Sequence, residues 1–324
     1  MDNFIDWGPK LFNALLVVAV FGAVIGLLLI VVDRAPKRGH DRYQLALFLL
    51  PAVFMLTVGL LIPAVRTTVL SFTNAAGDFV GFDNYGWLFS EDEALTTIRN
   101  TVIWVVLTPI LSTGVGLIYA ILINEARTEA LSKSLVFMPM AISFVGAGII
   151  WKFMYAYRGG GSDQIGLINQ IIVWFGGEPK QLLLDPPVNT LLLLVVMVWI
   201  QAGFAMVVLS AAIKGIPTDI IEAARIDGVN AWSMFWKVTL PSIRASVIVV
   251  LSTITIAVLK VFDIVRTMTG GNFDTSVIAN EMYTQAFRFR EPGRGAALAV
   301  FLFVLVIPLV VYQIRILRQR EETR

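Results

Sequence analysis

The sequence predicts an all-α protein that crosses a membrane several times. Hydrophobic residues make up 57% of the 324 residues and charged residues only 15%, a composition outside that of soluble domains. The apolar residues also collect in runs long enough to cross a hydrocarbon core of about 30 Å, which takes about 20 helical residues. Because lipid offers the backbone no hydrogen-bond partners, these runs have to be helices.

The apolar runs predict seven membrane-spanning helices. They lie near residues 11–32, 45–70, 98–124, 134–156, 190–213, 244–267 and 294–317. The first run is long, lacks a charged segment before it and is followed by Asp33 and Arg34 rather than by small residues. These features favour a retained helix over a cleaved signal peptide.

Lys and Arg residues are concentrated in alternate connections between the runs. They cluster at 34–42, 127–133, 214–244 and 315–324, whereas the opposite connections carry few. Cytoplasmic loops carry the excess of positive charge, so the amino terminus is predicted outside and the carboxyl terminus inside. Topology thereby accounts for the formal net charge of +2, and a nucleic-acid partner is not expected.

The residue types argue against catalysis and metal binding. The chain has no Cys, and its single histidine, His40, lies in a charged connection. It contains neither Gly-x-Ser-x-Gly nor His-Glu-x-x-His, and no Gly-x-x-x-x-Gly-Lys loop for nucleotide phosphates. We expect no enzyme activity, no metal site and no cofactor on this chain.

The cytoplasmic loop over residues 214–243 is predicted to form a helix, a break and a second helix. Pro217 stops the preceding segment, and the Thr218 hydroxyl is expected to cap the next helix. Glu222 lies near the positive end of that helix, and Gly228 can adopt the left-handed conformation that closes it. The second helix is predicted from about Ala231.

Three aromatic residues follow in this second helix. Trp232, Phe235 and Trp236 are expected to pack back against the membrane helices before Leu240-Pro241 turns the chain. The first helix would thus be anchored to the bundle, with Ala223 and Ala224 forming a low surface suited to a groove on another protein. Ile220 and Ile221 would add apolar contacts.

The same loop carries a motif at fixed spacing. Glu222-Ala223-Ala224, then Gly228, then Leu240-Pro241 resemble the EAA loop of permease subunits in binding-protein-dependent ABC importers. Further segments look like the maltose and oligosaccharide permeases of that family; these are Phe137-Met138-Pro139, Trp151-Lys152, Gly166 to Asn169, Trp199, Phe262-Asp263 and Thr269-Gly270-Gly271.

The resemblance implies a type I importer permease fold and a division of the chain. Residues 1–44 would be an additional N-terminal helix with a cytoplasmic linker, and residues 45–324 the permease domain, with its core at about 98–317. It also implies a cell-membrane location and a set of partners: a second homologous permease, two ATP-binding subunits that hold ATP and Mg, an extracytoplasmic solute-binding protein and a sugar.

The resemblance assigns coupling to the ATPase to the cytoplasmic loop. Its first helix would insert into a cleft of the ATP-hydrolysing subunit, with Glu222 as the charged contact. The residues implicated are Thr218, Ile220, Ile221, Glu222, Ala223, Ala224, Asp227, Gly228, Leu240 and Pro241.

A solute pathway is predicted near the membrane midplane. Gln201 lies about 18 Å from the cytoplasmic end of its span at 1.5 Å per residue, and Phe204 shares its face, which pairs an amide with an aromatic surface for a sugar. The resemblance adds neighbouring positions, giving Met140, Phe144, Met197, Gln201, Phe204, Ala257 and Val261. Several differ from the polar residues of maltose permeases and leave the sugar open.

Lys260, Asp263 and Arg266 are spaced three residues apart near the outer end of the sixth span. Such a ladder either neutralises itself or provides a gate or a solute contact at Lys260 and Asp263. The loop over 157–189 is rich in glycine and carries Ile165, Ile168, Ile172 and Phe175 at helical spacing. It predicts a short interfacial helix that either caps the bundle or docks the binding protein.

Two other classes of transporter stay open. A secondary transporter would work without an ATPase, but the coupling loop and the lack of an evident inverted repeat speak against it. An ABC permease for a polyol or a glycerol phosphate would carry the same loop. The sequence therefore favours an ABC permease for a di- or oligosaccharide such as an α-glucoside, working by alternating access.

Overall fold

The computed structural model describes residues 40–124, 128–159 and 163–322, with isolated positions between residues 12 and 30. The predicted span at 11–32 therefore lies largely outside the described residues. The chain divides into two units, residues 1–66 and 67–324. The domain boundary predicted at residues 44 and 45 stays a prediction.

All regular elements of the described residues are helices, which confirms the all-α class. The α-helices are α1 (His40–Leu56), α2 (Ile62–Leu70), α3 (Asp83–Ser90), α4 (Asp92–Ile123), α5 (Glu129–Phe137), α6 (Phe144–Met154), α7 (Leu167–Trp174), α8 (Val188–Lys214), α9 (Thr218–Ile226), α10 (Ala231–Met234), α11 (Leu240–Leu259), α12 (Asp263–Met268), α13 (Ile278–Tyr283) and α14 (Pro292–Glu322).

Five helical runs in the described residues are long and apolar enough to cross a membrane. They confirm five predicted spans with shifted ends, and they are Gln44–Leu70, Asp92–Ile123, Val188–Lys214, Ala231–Leu259 and Pro292–Arg315. A sixth crossing requires α5 and α6 to be counted together. The count of seven is thus not reached within the described residues.

The predicted span over 134–156 consists of two helices, α5 and α6, which meet at an angle of 102°. Pro139 lies in a 3-10 turn (Met138–Ala141), and the next residue after the turn, Ile142, is extended. Ser143 then starts α6, with its hydroxyl accepting a hydrogen bond of 3.1 Å from the Gly146 amide. Proline and a new helix cap together explain the bend.

The predicted turn at Leu240-Pro241 is also wrong. Helix α10 continues through a π-helical turn (Phe235–Thr239) directly into α11, so residues 231–259 form one helical run. In this turn the Leu240 amide donates to the Phe235 carbonyl, five residues back. The wider π-helical turn accommodates Pro241, which has no amide hydrogen and would clash in a regular turn.

Helices α4 and α8 pack at very short range in the centre of the larger unit. A Cβ atom at Gly116 would lie 2.5 Å from the Ala205 Cβ and 2.9 Å from the Ala202 carbonyl oxygen. Small residues at such contacts let two membrane helices approach and gain dispersion energy. The surrounding apolar core includes Trp104, Met206 and Ile254, all almost fully buried.

An irregular loop between α12 and α13 closes the end of this bundle opposite the α9 loop. The Asn100 amide of α4 donates to the carbonyl oxygens of Asp274 (2.6 Å) and Ser276 (3.0 Å). Asn189, at the start of α8, donates to the Phe273 carbonyl at 2.7 Å. These side chains satisfy backbone groups that no helix or sheet pairs.

Candidate functional site: the cytoplasmic loop and the helices above it

The first helix of the loop over residues 214–243, α9, forms where the sequence predicts it. The expected cap at Thr218 is wrong, however, because Pro217 is the capping residue, with ψ 135, and no side chain caps the helix. The extended backbone at Pro217 lets the helix begin one residue early, with the Ile220 amide bonded to the Pro217 carbonyl. Thr218 is therefore the first helical residue.

The carboxyl end of α9 closes as predicted. Gly228 has φ +73, and its amide donates to the Arg225 carbonyl, while the Val229 amide donates to the Ala224 carbonyl. This left-handed glycine satisfies carbonyl groups that the helix end would leave unpaired. The helix is thus held between a proline and a glycine.

The exposed face of α9 differs from the one expected. Asp219, Glu222, Ala223 and Ile226 lie on one exposed face at helical spacing, and Ile226 is 86% exposed. Ala224 is buried, so it belongs to the opposite face. Ile226 was not among the predicted coupling residues, although its position four residues after Glu222 was a usable signal.

A cavity of about 530 Å³ lies behind α9. Ile221, one of the predicted coupling residues, and Arg225 line the cavity from α9, and Ile121 and Asn124 line it from the end of α4. The rest of its lining is mostly apolar and consists of Ile213, Ile216, Val229, Ala231, Met234, Phe235 and Thr239. The cavity separates α9 from the end of α4. Helix α9 is connected along the chain to α8 and to α10 and packs through the buried Ala224.

The aromatic residues of α10 and of the π-helical turn after it do not all pack back against the membrane helices, as had been expected. Trp232 is 71% exposed and Trp236 49% exposed. Their rings contact each other with centroids 5.7 Å apart, and the Phe235 ring meets the Trp236 ring edge to face with centroids 4.9 Å apart. Of the three, Phe235 alone lines the cavity behind α9. The aromatic residues form a cluster of their own at the end of the long helix.

Gln201 is the polar group among the predicted pathway residues in α8. The residue is 8% exposed, and no described protein group hydrogen bonds to its amide. A buried amide without a protein partner is costly unless water or a solute satisfies it. Gln201 therefore keeps a hydrogen-bonding capacity that the fold does not use.

The other pathway positions divide into two groups. Met197 and Val261 are buried in the apolar core, with Phe204 and Ala257 packed against it, so these side chains contact protein in this conformation. Met140 and Phe144 flank the bend between α5 and α6 and are about two-fifths exposed. The structure brings the first group together and places the second at the bend.

The predicted ladder of Lys260, Asp263 and Arg266 does not exist as one helix. Helix α11 ends before Lys260, and α12 begins at Asp263. Among the described residues no ion pair joins these side chains; the Arg266 guanidinium instead lies over the Tyr283 ring, 4.6 Å from its centroid. Packing of α12 against α6, with Thr267 beside Gly148, interrupts a helix that hydrophobicity alone would continue.

The loop over 157–189 contains the predicted short helix as α7. The Asn169 amide donates to the Ala156 carbonyl at 2.9 Å and the Lys180 carbonyl at 3.1 Å, and its oxygen accepts from the Lys180 amide at 2.8 Å. A Cβ at Gly166 would collide with the Ala156 carbonyl. Gly166 and Asn169 thus have a structural role in folding the loop onto α6.

A polar cluster next to the α9 connection was missed. Its Glu129 carboxylate accepts from Lys133 at 2.6 Å and from Lys214 at 2.5 Å, and the Lys133 ammonium also reaches the Ser210 hydroxyl. Ser210 in turn donates to Asn124 at 3.3 Å. The spacing of Glu129 and Lys133 was visible in the sequence, but the approach of Lys214 depends on the tertiary fold.

The sequence of the chain matches one known protein family. Residues 112–320 match the family described as "Binding-protein-dependent transport system inner membrane component". This range includes α8, α9 and α11, the last part of α4 and most of α14.

Two characterised relatives are similar over most of the chain. The osmoprotective compounds uptake permease protein GgtC of Synechocystis sp. is 47% identical over 279 residues, which cover 86% of this chain and 100% of the relative. The alpha-glucoside transport system permease protein AglF of Rhizobium meliloti is 49% identical over 271 residues, covering 83% and 81%.

A solved structure has the same fold. A chain of a bacterial alginate ABC transporter, crystallised in complex with an alginate pentasaccharide-bound periplasmic protein, matches with a TM-score of 0.72 and 24% sequence identity. The match covers 86% of this chain and 94% of that chain. It supports the all-α architecture described above.

Proposed function

Since this chain belongs to the family of inner membrane components of binding-protein-dependent transport systems, we propose that it is one of two permease subunits of an ATP-driven importer for a di- or oligosaccharide such as an α-glucoside. ATP and Mg would bind to two separate ATPase subunits. A solute-binding protein would deliver the sugar from outside, at the face opposite the α9 loop.

The exposed face of α9 is the observation that carries this proposal. A short helix that is tethered at both ends, separated from α4 by a cavity and exposed at Glu222, Ala223 and Ile226 is suited to lie in a groove on another protein. An exposed isoleucine next to a carboxylate offers an apolar anchor and a charged contact. We assign this face to the ATPase subunit.

The two chain connections of α9 would transmit motion into the bundle. Pro217 links α9 to α8, which carries Gln201, and Gly228 links it to the long helical run of α10 and α11. Closure of the ATPase subunits on ATP would displace α9 and with it both helices. The bundle would then alternate between conformations open to the cytoplasm and to the outside.

The predicted pathway supports a neutral solute. Gln201 offers both a donor and an acceptor for hydroxyl groups, and Phe204, four-fifths of a helical turn away, offers an apolar surface for a sugar ring. The similarity to AglF, an alpha-glucoside permease, favours a glucoside. The nearly equal identity to GgtC makes an osmoprotective compound the second candidate solute.

The experiment is to reconstitute the permease pair with its ATPase and binding protein in liposomes and to measure ATP hydrolysis. The panel contains α-glucosides, β-glucosides, polyols and glycerol phosphates. We expect stimulation by α-glucosides and none by glycerol phosphates. Stimulation by a polyol or a phosphate ester alone would remove the sugar assignment, and failure of any ATPase to associate would remove the importer assignment.

A further inference from the structure

The polar cluster of Glu129, Lys133, Lys214 and Ser210 (the Glu129 cluster) lies between α5 and α8. Glu129 forms both ion pairs of the described residues, one within α5 to Lys133 and one across to Lys214 at the end of α8. Lys214 is followed within four residues by α9. The cluster therefore ties α5 to the helix end that receives the displacement of α9.

Helices α5 and α8 also meet at a second point. A Cβ at Gly203 would lie 2.6 Å from the Val136 carbonyl oxygen and 2.9 Å from the Phe137 Cα, so the two backbones are in direct contact. Gly203 and Lys214 are about 16 Å apart along α8 at 1.5 Å per residue. One contact lies near the middle of α8 and the other at its carboxyl end.

The bend after α5 continues this connection to the opposite end of the bundle. Met140 lies in the 3-10 turn, and Phe144 is the first residue of α6. The axes of α5 and α6 make an angle of 102°. Helix α6 packs against α12, with a Cβ at Gly148 only 3.1 Å from Thr267. A rotation of α5 about its backbone contact at Gly203 would thus move both the bend and α12.

From this geometry we infer that Glu129 is a positioning residue for transport: its pairing with Lys214 makes the bent pair α5 and α6 follow α8 when α9 is displaced. The cavity behind α9 explains why such a tie is needed. A cavity lies between the side chains of α9 and the end of α4, the helix that precedes α5. The contacts that join α5 to α8 are the Glu129 cluster and the Gly203 contact. This inference rests on the proposed importer function.

The ion pairs of Glu129 are suited to keeping two helix ends together rather than to stabilising the fold. The side chains of Glu129, Lys133 and Lys214 are 28%, 24% and 49% exposed, and ion pairs that solvent reaches contribute little to folding. A network of two lysines, one carboxylate and the Ser210 hydroxyl nevertheless fixes the relative position of two helix ends. Its loss should affect coordinated movement more than assembly.

The first test uses transport by the reconstituted complex. In Glu129→Gln we expect solute uptake to fall about fivefold or more, the effect of losing a modest coupling free energy, while the ATPase subunits still associate and hydrolysis is still stimulated. The ATP consumed per solute should therefore rise. Glu129→Lys should fail likewise, and the double variant Glu129→Lys, Lys214→Glu should recover uptake, since it keeps two lysines and one carboxylate.

A matched control lies on the same helix. Ser134 is exposed and its hydroxyl bonds only to the Ala130 carbonyl one turn before it, so Ser134→Ala should transport normally. Normal uptake and normal ATP consumption in Glu129→Gln would overturn the inference. Failure of the charge exchange to recover any uptake would overturn it as well.

A second measurement separates this inference from the proposed function. The chain has no Cys, so spin labels can be placed on Ser134→Cys in α5 and Ala211→Cys in α8, both exposed positions. We expect one narrow distance distribution with Glu129 and a broader one with Glu129→Gln, whatever solute is transported. An unchanged distance distribution in Glu129→Gln would contradict the inferred role of Glu129 in holding α5 to α8, even in a complex that imports sugar.

Discussion

Gly271 illustrates how single residues determine the loop between α12 and α13. It has φ +87, and a Cβ there would lie 2.1 Å from Nδ2 of Asn280, closer than real atoms approach. Phe273 and Asp274 also have positive φ values, and Asn189 and Asn100 hold their carbonyl groups. The loop is therefore a strained segment held by buried amides, for which the Thr269-Gly270-Gly271 sequence is the visible signal.

We expect Gly271→Ala to lower the stability of the chain. The substitution adds a Cβ clash to the cost of a non-glycine residue at positive φ, roughly 1–3 kcal/mol in all. Gly114→Ala is the matched control, because nothing lies within 4 Å of its Cβ position in α4 and alanine favours a helix. Thermal unfolding in detergent should separate the two variants; equal melting temperatures would contradict the described loop.

Gln201→Leu should reduce uptake without reducing stability. Leucine has a similar size, and the Gln201 amide has no hydrogen bond within the described protein that the change would break. A lost solute hydrogen bond weakens binding about threefold to tenfold. Uptake as a function of solute concentration measures this effect, with thermal unfolding as the control. An unchanged half-saturating concentration would exclude Gln201 from the pathway.

At the scale of helices, the sequence predicted what composition and local motifs encode. The spans at 45–70 and 190–213 follow from hydrophobic length, and α9 follows from Pro217 and Gly228. The bend between α5 and α6 follows from local signals, Pro139 and the Ser143 cap. The break at Lys260 was missed, because the packing of α12 against α6 decides it. The π-helical turn before Pro241 was missed because turn chemistry and π-helical accommodation of proline look alike in sequence.

In the candidate site, too, local motifs were readable from the sequence and long-range packing was not. The coupling motif located α9, but the exposed face depends on how α9 is rotated against the cavity, which placed Ile226 outward and Ala224 inward. The ion pair between Glu129 and Lys214 joins residues 85 positions apart. Sequence spacing contains no information on such a pair without an alignment.

Substitutions on the exposed face of α9 should weaken attachment of the ATPase. We expect Ile226→Asp and Glu222→Lys each to reduce the apparent affinity about tenfold or more, the usual effect of losing a central interface contact, with membrane insertion unchanged. Phe79→Asp is the control, because Phe79 is 79% exposed in a loop far along the chain from α9. Co-purification of the ATPase at increasing salt would measure the difference, and equal retention of all three variants would exclude this face.

At the scale of the whole molecule, α9 is the proposed contact with the ATPase, and the helix bundle is the part whose conformation would change. In the proposed mechanism, α8 and α11 would receive the displacement of α9 directly, and α5 and α6 would receive it through Glu129 and the Gly203 contact. The loop between α12 and α13 is held to α4 by Asn100 and to α8 by Asn189. A secondary transporter built on the same bundle would have no use for the exposed face of α9.

The most direct measurement is accumulation of a labelled α-glucoside by liposomes that contain the complete complex. The proposed importer function predicts accumulation against a gradient when ATP is enclosed on the side of α9 and the loaded binding protein is added on the opposite side. It predicts no accumulation when either is left out. Accumulation driven by an ion gradient in the absence of ATP would contradict it and would identify the chain as a secondary transporter.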